Sequence, residues 1–288
     1  MAPAQSLLLN TGRRIPTVGL GVYKTPAEQC VSLVHEALNL GYRHIDSAAL
    51  YYNEEEVCEG ISNWLAEDPS RKREEVFYTT KIGDAFHGYD KTKNAIKVSL
   101  EKAKKIQYID LILIHSPQSD GERRHGTWKA LEEAYEAGTV KNIGVSNYGI
   151  KHLKELLAYP DLKVKPAINQ FELHPWLQRP ELVGFCRQHD IAVEAYSPLA
   201  RGHKVADPVV VKIADKYNKT AAQILIRWSL EQGFITLPKT ANKARLAPNL
   251  DVFSFDLAPE DLETLNGLEE NYISGWDPTT YPLDSEKS

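Results

Sequence analysis

The chain has 288 residues, 42% hydrophobic and 25% charged, and 34 Lys and Arg against 39 Asp and Glu leave a net charge of −5. That balance argues against nucleic acid as a main partner, since phosphate backbones are held by concentrated Lys and Arg. No run approaches the roughly 18 apolar residues of a membrane span, Met1–Asn10 lacks the order of a signal peptide, and Cys30, Cys58 and Cys186 are too scattered for a disulfide framework or zinc site, so a soluble cytoplasmic protein is expected.

In chain order, Leu7-Leu8-Leu9, a turn over Asn10 to Gly12, and Ile15 predict a hairpin. A strand at Val18–Gly21 precedes a helix with Thr25 as N-cap, Pro26 at its first position and Glu28 closing a capping box, ending at Gly41. Arg43–Asp46 is a strand and Glu54 to Leu65 a helix; Val76–Lys81 is a strand and Lys91 to Lys104 a helix. Tyr108–His115 is a near-continuous apolar run, the mark of a strand buried on both faces. A helix from about Thr127 to Ala137, a strand at Lys141–Ser146 and a helix near Ile150 to Leu157 follow. Then come a strand at Ala167–Phe171, a helix over Pro180 to His189, a strand at Ile191–Tyr196, a helical region in two pieces from Pro208 to Gln232, and a strand at Phe234–Pro238. Pro259 to Leu268 reads as a last helix before an irregular tail.

Eight strands alternating with helices over about 250 residues predict an α/β fold, a (β/α)8 TIM barrel. The hairpin is expected to plug its floor, and the last helix and tail form an appendage. No linker divides the chain, so residues 1–288 are read as one domain. A doubly wound open sheet is the competing fold, but Gly19-Leu20-Gly21 lacks the third glycine of its dinucleotide fingerprint.

Chemistry in such a barrel sits at the carboxyl ends of the strands. Here those ends carry Asp46, Lys81, His115, Ser146-Asn147, Asn169-Gln170, Tyr196-Ser197 and Lys239-Thr240. One polar strand end means little, because buried polar groups are commonly just satisfied core groups. Seven in succession point to a site. Asp46, Lys81, His115 and the nearby Tyr51 form an acid–base set: Lys81 is expected to lower the phenol pKa, Asp46 to hold Lys81, and His115 to hydrogen-bond a developing oxyanion. The bland alternative is a structural Asp46–Lys81 ion pair with His115 as a core histidine.

These stretches resemble the aldo-keto reductase superfamily over nearly the whole chain. Gly41–Asp46 with Tyr51 and Asn53-Glu54, Asp110–Pro117, Lys141–Asn147 and Leu237–Thr240 carry the likeness, closest to the small fungal members. It implies NADPH-dependent reduction of small carbonyl compounds, with Tyr51 as proton donor, Lys81 and Asp46 tuning it and His115 orienting the carbonyl. It also implies that Ser146, Asn147 and Gln170 hold the nicotinamide carboxamide and that Tyr196 stacks on the ring. Ser197 and Leu199 are expected beside the cofactor, with Lys239, Thr240, Arg245 and Asn249 at its far end. Two cations and a hydroxyl suit a 2′-phosphate, although Pro248 stands where relatives carry Glu or Gln for adenine.

Around the substrate the sequence departs from better-known relatives. Ser116 and Tyr23 stand where those have Trp, as does Ile82-Gly83. Tyr23, Tyr52, Phe86, Ser116, Trp176 and Trp276 are candidates for lining the pocket. The loops Ser116 to Gly126 and Arg201 to Ala206 look short, and the second is expected to reach a pyrophosphate only through Arg201 and Lys204. No metal is expected, because one His115 beside a lysine is the wrong ligand set. A glycosidase using Glu172 and Glu194 fits less well than a cofactor site. A cofactor-loaded regulatory subunit without turnover is the remaining alternative. A monomer is expected.

Overall fold

The structure is a computed structural model and describes residues 5–286. Strands β1 (Ser6–Leu8) and β2 (Arg14–Pro16) pair antiparallel with Leu7 opposite Ile15. This hairpin turns Leu9 and Ile15 onto Phe77, Leu111, Leu113, Ala167, Ile168 and Ile235, so it closes the barrel floor as the sequence predicts. The next segments are β3 (Leu20–Gly21), α1 (Ala27–Asn39), β4 (His44–Asp46), α2 (Glu54–Ala66), β5 (Phe77–Ile82), α3 (Tyr89–Lys102) and β6 (Leu111–Ile114). They continue with α4 (Gly121–Glu136), β7 (Ile143–Ser146), α5 (Ile150–Leu157), β8 (Ile168–Glu172), α6 (Pro180–Gln188) and β9 (Ala192–Tyr196). The chain ends with α7 (Pro208–Tyr217), α8 (Ala221–Glu231), β10 (Ile235–Leu237), α9 (Leu246–Leu250) and α10 (Pro259–Asn266).

Strands β3 to β10 lie parallel in sequence order. Bridges Val18–Thr236 and Gly21–Lys239 join the first to the last, closing a (β/α)8 barrel. Closure removes the exposed sheet edges that an open array would leave. Between strands and helices lies an apolar layer that includes Val34, Ile45, Ile112, Val145, Phe171 and Ile224, all with no exposed surface. Among the described residues no helix is long and apolar enough to cross a membrane.

Two local expectations fail and one helix goes unforeseen, each for a physical reason. Helix α1 starts one residue late: Pro26 is extended (φ −57°, ψ 140°) and becomes the N-cap, so no Thr25 capping box forms. The Thr25 hydroxyl is instead buried without a partner among the described residues, and the Thr25 carbonyl accepts from Asn53 Nδ2 at 3.2 Å. Helix α4 begins six residues before the expected start, because Asp120 caps it by accepting from Arg123 N at 2.8 Å. Gly126 there is no helix breaker; a Cβ at that position would lie 2.8 Å from Tyr89 N, so glycine lets α4 approach the start of α3. The short helix α9 is not foreseen at all, since Pro248 sits inside it.

Candidate active site

The strand order brings the predicted polar ends to one rim. Lys81, on β5, is fully buried and donates to both Asp46 oxygens at 2.7 and 2.8 Å and to the Ser47 carbonyl at 2.8 Å. Burial, the largest single effect, pulls the Lys81 ammonium down, but the charges and hydrogen bonds around it, the Asp46 carboxylate foremost, together hold Lys81 above its ordinary value. Lys81 Nζ lies 5.1 Å from the centre of the Tyr51 ring, and His115 stands edge-on to that ring at 5.9 Å. The four acid–base candidates therefore do meet.

The direction of the Tyr51 shift corrects the sequence reading. Burial of the hydroxyl raises its pKa more than the Lys81 charge lowers it, so Tyr51 keeps its proton at neutral pH. His115 is pushed down to about 3, by burial first, then by the Lys81 ammonium and by the neighbouring His87. It is a neutral imidazole with one N–H to give.

Next to this set lies a band of amides and hydroxyls. Ser146 Oγ donates to the Gln170 carbonyl at 2.8 Å, and Asn147 Nδ2 donates to the His115 carbonyl at 2.9 Å. The Tyr196 hydroxyl donates to Asn147 Oδ1 at 2.8 Å, which fixes the ring at the end of β9. Gln170 Nε2 donates to Asp46 Oδ2 at 2.9 Å and to Glu194 Oε2 at 2.7 Å. The sequence offers Glu194 only as one of two glycosidase carboxylates with Glu172; its place two residues before Tyr196, on the same face of β9, is the signal that could have tied it to this site.

Further round the rim, Lys239 and Arg245 are exposed, Thr240 and Asn249 are buried, and Thr240 Oγ1 is tied to Asn242 in a local turn. Among the described residues no carboxylate pairs with Lys239 or Arg245. Burial, then the neighbouring Lys24, lowers Lys239, so this corner favours an anion. Backbone strain gathers on the same rim: of the non-glycine residues with positive φ, Lys24, Tyr52, Asn147, Ser197, Ala200 and Arg201 all follow barrel strands there. Leu199 packs against the core between two of them.

The pocket candidates divide. Tyr23 stacks obliquely on Tyr51 at 5.1 Å and Trp276 stands edge-on to His115 at 6.2 Å; both are 42% exposed. Tyr52 is 81% exposed and Phe86 44%, on the outer lip. Ser116 is not an open pocket residue: it is buried, and its hydroxyl donates to Asp84 Oδ1 at 2.7 Å. Trp176 is buried in the core. The short loop after β9 is also otherwise engaged. Lys204 pairs with Glu270 at 2.6 Å, and a Cβ at Gly275 would overlap the Arg201 guanidinium, so both cations sit against the tail that carries Trp276. Two concavities of about 410 and 440 Å3 flank the hairpin at the opposite end, lined by residues such as Arg13, Glu74, Leu8 and Asp190, and contain none of these groups.

The model of the aldo/keto reductase family matches residues 17–270. The chain belongs to that family. It is 44% identical to an uncharacterized oxidoreductase of Saccharomyces cerevisiae, over 95% of this chain and 98% of that one. It is 40% identical to the glyoxal reductase of Bacillus subtilis, over 94% and 95%. The crystal structure of an aldo/keto reductase from Brucella melitensis superposes with a TM-score of 0.86 at 40% identity, covering 93% of this chain and all of that one. This aldo/keto reductase is therefore an oxidoreductase, and the family's members generally use nicotinamide cofactors. The donor set agrees with such a group: Gln170 Oε1 accepts no hydrogen bond from the described residues, and Lys239 and Arg245 lack counter-charges.

Proposed function

We propose that this enzyme reduces aldehydes and ketones to alcohols with NADPH, and that Tyr51 is the proton donor. The observation that carries the reading is the buried Asp46–Lys81 pair set against a protonated Tyr51, with neutral His115 on the other side of the same ring. His115 offers its N–H to the substrate oxygen and so fixes the carbonyl beside the Tyr51 hydroxyl. NADPH, when bound, supplies the hydride. As negative charge grows on the substrate oxygen, Tyr51 gives up its proton to it. The phenolate left behind faces the Lys81 ammonium, which lowers the cost of that transfer, and Tyr51 then regains a proton from solvent. Burial keeps Tyr51 in its acid form beforehand, while Lys81, locked by Asp46, stabilises the form that follows.

Ser146, Asn147 and Gln170 would hold the carboxamide, Tyr196 would stack on the nicotinamide, and Ser197 and Leu199 would line its path. Lys239, Arg245, Thr240 and Asn249 would hold the phosphate-bearing adenosine end. Their unpaired cations favour NADPH over NADH. Tyr23 and Trp276 would wall the substrate, with Tyr52 and Phe86 at the lip. The reading includes a single-domain monomer, with the whole site built on one barrel. The test is absorbance at 340 nm with NADPH or NADH and a panel that starts with glyoxal, the substrate in a relative's name, and extends to aromatic aldehydes and ketones. Carbonyl-dependent oxidation, faster with NADPH, is expected. No such oxidation across the panel would refute the proposal.

A further inference from the structure

Glu194 takes no part in the scheme above, yet it is fully buried in the barrel directly beneath it. Its Oε2 accepts from Gln170 Nε2 at 2.7 Å, and the same nitrogen donates at 2.9 Å to Asp46 Oδ2, the oxygen that also takes Lys81. On its other side, His44 Nε2 lies 3.7 Å from Glu194 Oε1 and 3.2 Å from Thr79 Oγ1. Two carboxyl groups thus flank the Gln170 amide nitrogen.

An amide offers donors on one side and an acceptor on the other. With both N–H groups taken by Asp46 and Glu194, the amide is held in one of its two orientations. The reversed orientation would set its oxygen against the ionised Asp46 carboxylate and leave Glu194 Oε2 without its N–H donor. The free edge is then Oε1, which no described residue satisfies.

We propose that Glu194 is a positioning residue: through the Gln170 side chain it fixes the amide oxygen toward the mouth as an acceptor for the carboxamide N–H of a nicotinamide, and braces Asp46 against Lys81. This rests on the reading of the site as a nicotinamide site. The charge state agrees with it. Burial, then the Asp46 carboxylate, pushes Glu194 up to about 8. Near pH 7 it is mostly protonated, keeps a carbonyl oxygen for Gln170, and adds no second negative charge beside Asp46. Glu194→Gln is then nearly isosteric and keeps the acceptor, whereas Glu194→Leu removes it.

The experiment is equilibrium binding of NADP+, of its 3-acetylpyridine analogue, and of 2′,5′-ADP to the wild-type protein and both variants at pH 7. The analogue keeps the ring carbonyl but lacks the N–H2. Wild type is expected to bind NADP+ about three- to tenfold more tightly than the analogue, the span of one ordinary hydrogen bond. Glu194→Gln should keep that ratio, Glu194→Leu should bring it close to one, and 2′,5′-ADP affinity should stay within about twofold throughout. A ratio that Glu194→Leu leaves unchanged overturns the proposal. So does an equal loss for all three ligands, which marks a purely structural residue. A wild-type ratio near one overturns it without any variant, even if Glu194→Leu fails to fold. If wild type binds neither nucleotide, the nicotinamide reading itself fails; if it binds and turns over but shows no discrimination, only the role of Glu194 fails.

Discussion

At Tyr51 two opposing effects share one hydroxyl, and their order decides what the residue can do. Burial comes first and keeps the proton on; Lys81 comes second and waits for the phenolate. In the reverse order the phenol would sit below its ordinary value and hold its proton less firmly before the substrate arrived. Tyr51→Phe removes only the hydroxyl, leaving Lys81 buried on Asp46 and the ring packing intact. We expect NADPH affinity to stay within about twofold and turnover of a good aldehyde to fall at least about 10²-fold, the lower range for loss of a general acid. Turnover within tenfold of wild type would move the proton donor elsewhere. Ser116 teaches the opposite lesson. Its position beside His115 marks it for the pocket, but Asp84 reaches across from the end of the neighbouring strand and takes its hydroxyl.

Among elements, the tail after α10 has most to do with the shape of the mouth. It is pinned to the end of β8 by Glu172, which accepts from Ser274 N at 3.1 Å, from the Ser274 hydroxyl, and from His174 Nε2 at 3.1 Å. Burial alone would raise the Glu172 carboxyl, but the His174 and Ser274 hydrogen bonds win and hold it below its ordinary range. Two residues on, Trp276 stands against His115. The loop after β9 rests on the same tail through Lys204 and Arg201. Glu172→Ala should therefore loosen Trp276 while leaving the Tyr51 set in place. KM for aromatic aldehydes is expected to rise about three- to tenfold, as for loss of one or two hydrogen bonds, with kcat and NADPH affinity within about twofold. Steady-state kinetics and NADPH titration decide it, and an equal fall in kcat would place Glu172 in the chemistry instead. A barrel supplies a rigid rim; the tail and loops laid over it set what can enter.

The whole molecule carries an acid liability. His44 and His115 are pushed down to about 3 and His87 and His152 to about 4, in each case chiefly by burial. The unfolded chain takes up these protons near pH 6.5 while the folded chain resists them. Stability present above that pH is then lost as pH falls toward 4, at up to about 1.4 kcal/mol per pH unit for each histidine. Four together can consume most of an ordinary domain's stability of roughly 5–15 kcal/mol within about two units. Glu194 acts the other way: raised to about 8, it contributes most in acid, and its share is lost as pH rises from its ordinary range through 8. Thermal unfolding from pH 4 to 9 should show a maximum near neutrality and a steep fall below about pH 6. A melting temperature flat from pH 7 to 4.5 would mean that the buried histidines take up protons without unfolding.

The alternation of apolar runs with amphipathic stretches determined an α/β fold of parallel strands, because strand and helix periods are local. The count of eight and the missing third glycine after Gly21 favoured the barrel over a doubly wound sheet, and the bridges Val18–Thr236 and Gly21–Lys239 closed it. The polar strand ends were legible for the same reason: Asp46, Lys81, His115, Asn147 and Tyr196 each interrupt a run at the residue where a strand leaves the core. Everything that depends on which distant segments touch was decided by the tertiary structure. The sequence holds no sign that Asp84 claims Ser116, that Glu172 pins Ser274 102 residues away, or that Arg201 and Lys204 face the tail. The sign of the Tyr51 shift belongs there too. A neighbouring lysine can be guessed from spacing, but burial is summed over every segment packed round the hydroxyl, and here that sum outweighs the charge.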